Sequence, residues 1–121
     1  MKILVAEDDN LIRSALEFRL KKDNHDVTLA IDGKDALKKI DEQIPDLVIT
    51  DIMMPHISGL ELVGLIKEKY QNQIKIIVLT TMGQEDVVLE AFGLGADDFI
   101  PKPFSPNELS VRIKRFAIKK I

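Results

Sequence analysis

The chain contains no cysteine among its 121 residues. It can therefore form no disulfide, thiol nucleophile or thiolate metal site, and this agrees with a reducing compartment. No apolar run approaches the roughly 18 residues that span a bilayer. The first residues lead at once into a short apolar run and then acids, which leaves no place for a signal peptide. We expect a soluble, cytoplasmic protein.

Basic residues are also fewer than acidic ones. The chain has 17 Lys and Arg against 20 Asp and Glu, and its formal net charge is -3. Binding to nucleic acid requires a basic surface that neutralises phosphates, so this balance argues against it. Lys and Arg do gather in the last predicted helix, which leaves a local basic face open there. The length is that of one domain, and we expect a single domain over residues 1–121.

Five short apolar runs, rich in Ile, Val and Leu, are each followed by a longer segment of helical character. The runs are Ile3–Ala6, Val27–Ile31, Leu47–Thr50, Ile74–Thr80 and Asp98–Ile100. The first, third and fourth are apolar at consecutive positions, which is typical of parallel strands covered by helices on both faces. This alternation predicts a doubly wound α/β domain with those three runs as central strands.

Three intervening segments have apolar residues at helical spacing. These residues are Leu11, Ile12, Ala15, Leu16 and Leu20, then Leu60, Val63, Ile66 and the stem of Lys67, and finally Leu109, Ile113 and Phe116. Capping patterns indicate where the helices begin. They are Asp9 or Asn10 for the first helix, Ser58 with Glu61, and Ser105-Pro106 with Glu108 for the last.

Polar residues stand where the predicted strands end. Glu7 and Asp8 end the first strand, Asp51 ends the third, Thr80 ends the fourth and Lys102 follows the fifth. The carboxyl ends of parallel strands meet along one edge of a sheet, so these side chains should converge. Converging carboxylates repel one another unless a cation lies among them, and oxygen ligands without His or Cys suit Mg²⁺. We therefore predict a Mg²⁺ site at this edge.

The same residues predict phosphoryl chemistry. A lysine opposite the acids supplies a mobile positive charge, and a threonine hydroxyl supplies one directed hydrogen bond. One carboxylate can then act as the nucleophile and form an acyl phosphate, and Asp51 is our candidate. Singly, each residue has a commoner role as a helix cap, strand residue or surface charge. Only their joint placement indicates a site.

Three ordered segments carry a family resemblance. They are Ile3-Leu4-Val5-Ala6-Glu7-Asp8-Asp9, Asp46-Leu47-Val48-Ile49-Thr50-Asp51-Ile52-Met53-Met54-Pro55 and Gly95-Ala96-Asp97-Asp98-Phe99-Ile100-Pro101-Lys102-Pro103-Phe104. With these motifs the chain resembles the receiver domains of bacterial two-component response regulators over essentially its whole length. The resemblance implies a flavodoxin-like (βα)5 fold with strand order 2-1-3-4-5.

The resemblance also implies a mechanism. Asp51 would receive phosphate from the phosphohistidine of a histidine kinase or a histidine phosphotransfer protein. Asp8, Asp51 and the backbone carbonyl of Met53 would bind Mg²⁺, and Glu7 would join through water. Such a domain catalyses only its own phosphorylation and dephosphorylation and is not a conventional turnover enzyme.

The family's switch residues can be placed in the same way. Lys102 would pair with the phosphoryl group, and its bond to Pro103 would be cis. Thr80 would move inward to bond a phosphoryl oxygen, and Phe99 would follow as the aromatic switch that controls an output domain or partner. Phe99 lacks the hydroxyl of the tyrosine frequent there, so its output must come from ring burial.

Three positions near the site depart from the family pattern. Thr81 stands where Ala or Gly is common, which narrows access to the phosphoryl group. Met53 and Met82 lie two residues beyond Asp51 and Thr80, and neither thioether can orient or activate an attacking water. We therefore expect a slowly hydrolysed phosphate.

The segment from Asp97 to Pro106 is most similar to receivers attached to winged-helix DNA-binding domains, which implies transcription regulation. Their active dimers pair the face formed by the fourth helix, fifth strand and fifth helix. No Lys or Arg lies between Lys75 and Lys102, so the usual basic partner is absent. The residues left for pairing across a phosphorylation-dependent homodimer are Asp97, Asp98, Arg112 and Arg115. The last residues, Lys119-Lys120-Ile121, are as consistent with a receiver cut from a longer regulator as with a natural end.

Three other readings remain. An aspartyl phosphatase or phosphotransferase is expected to carry a second acid two residues after Asp51, where Met53 stands. A flavin or nucleotide binder should offer Gly, Ser or Thr after the first strand, where this chain has three acids. A phosphate-independent pseudo-receiver would be expected to lack Asp51 or Lys102, and both are present.

Overall fold

The computed structural model describes residues 1–81 and 85–119. Within them, strands and helices alternate along the chain. The strands are β1 (Lys2–Ala6), β2 (Asp26–Ala30), β3 (Leu47–Asp51), β4 (Lys75–Thr80) and β5 (Asp98–Pro101). The helices are α1 (Asn10–Lys22), α2 (Gly33–Glu42), α3 (Gly59–Tyr70), α4 (Glu85–Leu94) and α5 (Pro106–Lys119), and a 3₁₀ turn (Gln71–Gln73) follows α3. None of these helices is long and apolar enough to cross a membrane.

All five strands are parallel, in the order β2-β1-β3-β4-β5. This confirms the predicted doubly wound α/β fold and its strand order. The three runs with consecutive apolar residues are the central strands. A central strand is covered on both faces, so it needs apolar side chains at consecutive positions. Their C-terminal ends, at Ala6, Asp51 and Thr80, therefore lie side by side at one edge of the sheet.

The sheet divides the core into two layers. Successive side chains of β1 point to opposite faces, so Leu4 packs in one buried cluster and Ile3 and Val5 in the other. The first cluster lies under α2, α3 and α4, and the second lies under α1 and α5. Both faces of the strands that carry the site are thus fully packed.

Two of the predicted caps fix the helices that flank the site. The carboxylate of Asp9 accepts hydrogen bonds from the backbone N–H groups of Leu11 (2.9 Å) and Ile12 (3.0 Å) at the start of α1. Ser58 and Glu61 form a reciprocal capping box at the start of α3. Such caps satisfy backbone donors that have no partner inside the helix.

Two details differ from the sequence-based expectation. The sequence predicts Leu11 and Ala15 on the buried stripe of the first helix, but Leu11 is 84% exposed and Ala15 is exposed as well. Residues 12, 16 and 20 are four apart and face the sheet, and Leu11 lies about 100° round the helix from Ile12. Ile31 was placed in the second strand, but β2 ends at Ala30 and Ile31 is exposed.

Candidate functional site

The ends of the central strands bring the predicted site residues together. Glu7 follows β1 directly, Asp51 is the last residue of β3, and Thr80 is the last residue of β4. The backbone N–H of Lys102, just beyond β5, donates to the carbonyl of Thr80 at 2.6 Å. The register of the parallel sheet therefore sets the relative positions of these residues.

Three carboxylates converge at this edge. Glu7, Asp8 and Asp51 each offer an oxygen that lies within 4.8 Å of the others. Glu7 is fully buried and Asp51 nearly so, whereas Asp8 is exposed and opens the group to solvent. Such a set of hard oxygen ligands, with one member open to water, fits a divalent cation that keeps part of its hydration shell.

Lys102 is the cation that the described residues place against these acids. Its Nζ lies 2.7 Å from Oε1 of Glu7 and 3.3 Å from Oδ2 of Asp51. Two of the three acids thus pair with one lysine, and the group keeps an excess of negative charge. The residues present therefore fit a metal ion, which would neutralise that excess.

Burial raises the pKa of the Glu7 carboxyl to about 7. The hydrogen bond from Lys102 opposes this rise, and the negative charge of Asp51 adds to it. For Lys102, burial alone would lower the pKa, but the hydrogen bond to Glu7 and the charge of Asp51 outweigh it and raise the pKa. The lysine therefore keeps its positive charge at neutral pH.

The sequence-based prediction gave Glu7 a role only through water on the metal. The structure adds a direct ion pair with Lys102. The other carboxylate oxygen of Glu7 accepts a hydrogen bond from the N–H of Asp9 at 3.3 Å. Glu7 therefore connects the lysine to the acidic loop after β1.

The loop after Asp51 folds back on the carboxylate. The N–H of Met53 donates to Oδ1 of Asp51 at 3.3 Å, and the hydroxyl of Thr50 donates to the Asp51 carbonyl at 3.0 Å. The side chain of Met53 is 61% exposed. A thioether offers an incoming water no hydrogen-bonding group of useful strength. Met82 lies outside the described residues.

Thr80 and Phe99, the predicted switch pair, border one hollow. It has a volume of about 200 Å³ and is lined mainly by apolar surface that includes Val88. The ring of Phe99 is half-buried and meets Phe92 edge to face, with centroids 6.0 Å apart. Thr81, the residue after β4, lines this hollow and a second one against α1, and Lys102 lines both.

Asp97 and Asp98 were predicted to pair with Arg112 or Arg115 across a dimer. In the structure these acids have partners within the chain. Asp98 lies 2.9 Å from Arg112 and 3.6 Å from Arg115. Asp97 accepts hydrogen bonds from Lys67 at 3.1 Å and from the N–H of Ile76 at 2.8 Å.

One contact at the site had no signal in the sequence. The guanidinium of Arg13 donates to the backbone carbonyl of Glu7 at 2.7 Å and to the side chain of Asn10. An arginine in the first turns of a helix is ordinary, so only the fold identifies this one. It ties α1 to the residue that pairs with Lys102.

An acidic edge with a lysine, at the carboxyl ends of a five-stranded parallel sheet, defines a class of signalling domain. The chain belongs to the response regulator receiver domain family, whose model matches residues 3–114. A receiver domain protein from Clostridium thermocellum is 31% identical with a TM-score of 0.92, and the match covers 98% of this chain and 95% of that one. The chemotaxis protein CheY4 of Vibrio cholerae is 30% identical with a TM-score of 0.89, over 95% and 97% of the two chains.

The chain also resembles one part of a longer protein. NtrX from Brucella abortus is 29% identical with a TM-score of 0.91, over 98% of this chain but only 28% of that one. The family and these structures confirm the resemblance read from the sequence. The chain is a phosphoacceptor signalling domain of a two-component system, rather than a conventional enzyme.

Proposed function

We propose that Asp51 is the phosphoacceptor and that Mg²⁺ is the metal of this site. Asp8, Asp51 and the backbone carbonyl of Met53 would hold the ion, and Glu7 would reach it through water. The observation that carries the proposal is the convergence of three carboxylates at one strand edge, where two of them pair with Lys102. Mg²⁺, when bound, neutralises charge on the transferring phosphoryl group.

The residues divide the chemistry of transfer. An oxygen of Asp51 attacks the phosphorus, the bond to the donor nitrogen breaks, and an acyl phosphate forms. Lys102 moves its charge from the carboxylates to the new phosphoryl oxygens, and Thr80 donates one hydrogen bond to them. The domain catalyses only its own phosphorylation and dephosphorylation in this scheme.

The phosphodonor would be a histidine kinase or a histidine phosphotransfer protein. An apolar surface beside the site supports docking of a protein donor. Phe18 is 72% exposed on α1, on the same side as the exposed Leu11 and Ala15. Ile12, Ala15 and Lys102 also line a hollow of about 430 Å³ between α1 and the segment after β5. A donor seated on α1 would thus present its phosphohistidine close to Lys102.

Phosphorylation of Asp51 would be transmitted to a partner through movement of Thr80 and Phe99. Inward movement of the Thr80 hydroxyl toward the phosphoryl group would free space in the hollow that Thr80 and Phe99 border. The ring of Phe99 would then bury itself there, and the surface of α4, β5 and α5 would change for an output domain or partner. Control of transcription in a longer regulator and a cytoplasmic location remain part of this proposal.

Intact mass after incubation with acetyl phosphate tests the acceptor. We expect one phosphoryl adduct that needs Mg²⁺ and is lost on treatment with hydroxylamine. Asp51→Asn should give no adduct, because it removes the nucleophile and leaves a side chain of the same size. Glu68→Gln, an exposed acid on α3, is the matched control and should react as the wild type does.

Titration with Mg²⁺ tests the ligand set separately. Asp8→Asn should weaken Mg²⁺ binding by about 10-fold or more, since it removes one charged oxygen ligand. If the wild type binds Mg²⁺ and yet forms no adduct with any small phosphodonor, the domain is a pseudo-receiver and the proposed chemistry is wrong.

A further inference from the structure

Two helix-initiating glycines lie against the loop that follows the phosphoacceptor. Gly59 is the first residue of α3 and Gly33 the first residue of α2. Residues 52–58 connect β3 to α3 and carry the Met53 carbonyl. Because the site depends on where this loop lies, anything that fixes the loop also fixes the ligands of the site.

Gly59 touches the backbone of the acceptor itself. A Cβ added to Gly59 would lie 2.1 Å from the carbonyl oxygen of Asp51 and 2.6 Å from Cα of Ile52. Both atoms belong to the main chain, so no side-chain rotation can relieve the clash. The N–H of Gly59 also donates to the carbonyl of Ile52 at 2.8 Å. The start of α3 is therefore closed directly onto β3.

Gly33 makes a similar approach at the other end of the loop. A Cβ added there would lie 2.6 Å from the carbonyl oxygen of Ile57 and 2.7 Å from its Cβ. Among the described residues, the glycine with a left-handed backbone is Gly95, at φ 113°, and neither Gly33 nor Gly59 shares that conformation. Glycine is therefore needed at these two positions because a side chain has no room there, and not because the backbone conformation is unusual.

We propose that Gly59 and Gly33 are positioning residues for the phosphoryl transfer described above, on which this inference rests. They let α3 and α2 close on residues 52–58 and so set the Asp51 carboxylate and the Met53 carbonyl in register. Any side chain at position 59 would displace the Asp51 backbone and so change the position of its carboxylate relative to Lys102. Displacement of a reacting group by about 1 Å can cost on the order of 100-fold in rate.

The chain offers matched controls for this test. A Cβ added to Gly93, in α4, would meet nothing within 4 Å, and one added to Gly64, in α3, would meet only a Leu94 methyl at 3.9 Å. Gly64→Ala changes the same helix as Gly59→Ala and adds the same methyl group. The two variants differ in what that methyl group contacts.

The experiment compares four variants, Gly59→Ala, Gly33→Ala, Gly64→Ala and Gly93→Ala, with the wild type. We expect Gly59→Ala to slow phosphorylation by acetyl phosphate about 100-fold and to weaken Mg²⁺ binding, with its circular dichroism unchanged. Gly33→Ala should lose about 10-fold, since it acts on the far end of the loop. Without metal, the backbone amide resonances of Ile52 and Met53 should shift in both variants. Gly64→Ala and Gly93→Ala should match the wild type.

A purely structural role for the glycines gives a different result. Gly59→Ala would then melt at a lower temperature, but its Mg²⁺ affinity and phosphorylation rate in the folded state would equal those of the wild type, which would overturn the proposal. If Gly59→Ala does not fold, Gly33→Ala decides by the same readouts. A wild type that neither binds Mg²⁺ nor accepts phosphate would instead sink the proposed function itself.

Discussion

At the scale of single residues, two methionines set the expected lifetime of the phosphorylated state. Met53 and Met82 stand two residues beyond Asp51 and Thr80, and Met53 is exposed. A thioether cannot hold a water in line for attack on the acyl phosphate. Loss of phosphate should therefore be slow.

The lifetime of the acyl phosphate, followed by intact mass after the donor is removed, tests this. Met82→Glu should shorten it by about 10-fold or more, because a carboxylate can orient and activate the water. A wild-type lifetime of only seconds, no longer than that of Met82→Glu, would refute slow hydrolysis.

Glu7 should make the stability of the metal-free protein depend on pH. Burial raises its pKa from 4.5 to about 7 in the folded state, so folded protein holds a proton that unfolded protein has released. The stabilising contribution of this group is complete below pH 4.5 and is lost as pH rises through about 7. Stability in the presence of EDTA should fall over this window, and Glu7→Gln should flatten the fall.

Urea unfolding at several pH values between about 5 and 8 measures this effect. Glu68→Gln should keep the wild-type slope. A Glu7→Gln protein with that same slope would show that another group causes the dependence.

At the scale of elements, one arginine ties α5 to β5. The guanidinium of Arg112 donates to Asp98 at 2.9 Å and to the Phe99 carbonyl at 3.0 Å. Arg115 lies 3.6 Å from the same buried carboxylate, and its side chain is 54% exposed. The two arginines thus share a partner but differ in burial and geometry.

We expect Arg112→Ala to lower the free energy of unfolding by about 1–3 kcal/mol, because it leaves the buried Asp98 short of a partner. Arg115→Ala should cost less, about 0–1 kcal/mol, as for other exposed pairs. Urea unfolding of the two variants measures both losses in the free energy of unfolding. An equal loss, or a larger loss for Arg115→Ala, would show that Asp98 relies on Arg115 instead.

How well each strand or helix could be predicted from the sequence depends on how many of its faces are covered by other elements. Central strands must be apolar on both faces, so a consecutive apolar run identified β1, β3 and β4 without further information. A helix is anchored by a narrower stripe. In α1 only every fourth residue from Ile12 faces the sheet, and Leu11 was misplaced because adjacent apolar residues do not reveal which of them points inward.

Some features of the site could likewise be predicted from the sequence, and others could not. Glu7, Asp8, Asp51, Thr80 and Lys102 could be grouped from the sequence, since a parallel sheet brings strand ends together. The contacts of Arg13 with Glu7 and of Gly59 with Asp51 depend on how a helix approaches a loop. No spacing in the sequence encodes that approach.

At the scale of the whole molecule, phosphorylation-dependent dimerisation is the remaining question. The acids predicted to pair across a dimer already have partners, Asp98 with Arg112 and Arg115, and Asp97 with Lys67. Cross-chain pairs would have to compete with these, and exposed pairs contribute only about 0–1 kcal/mol each. Any dimer of this domain should therefore be weak.

Sedimentation at high protein concentration, with and without beryllofluoride as a phosphoryl analogue, measures the association. We expect a modest rise in mean mass with the analogue. An unchanged monomer mass in both conditions would mean that the isolated domain does not dimerise.

Identification of the residue that carries the phosphoryl group is the most direct test of this account. Borohydride reduces an acyl phosphate to an alcohol, so reduction of the phosphorylated protein followed by peptide mass analysis marks the acceptor. We predict homoserine at position 51, formed only when Mg²⁺ was present during phosphorylation. Homoserine at Asp8, reduction of Glu7, or no reduction product at all would contradict the assignment of Asp51.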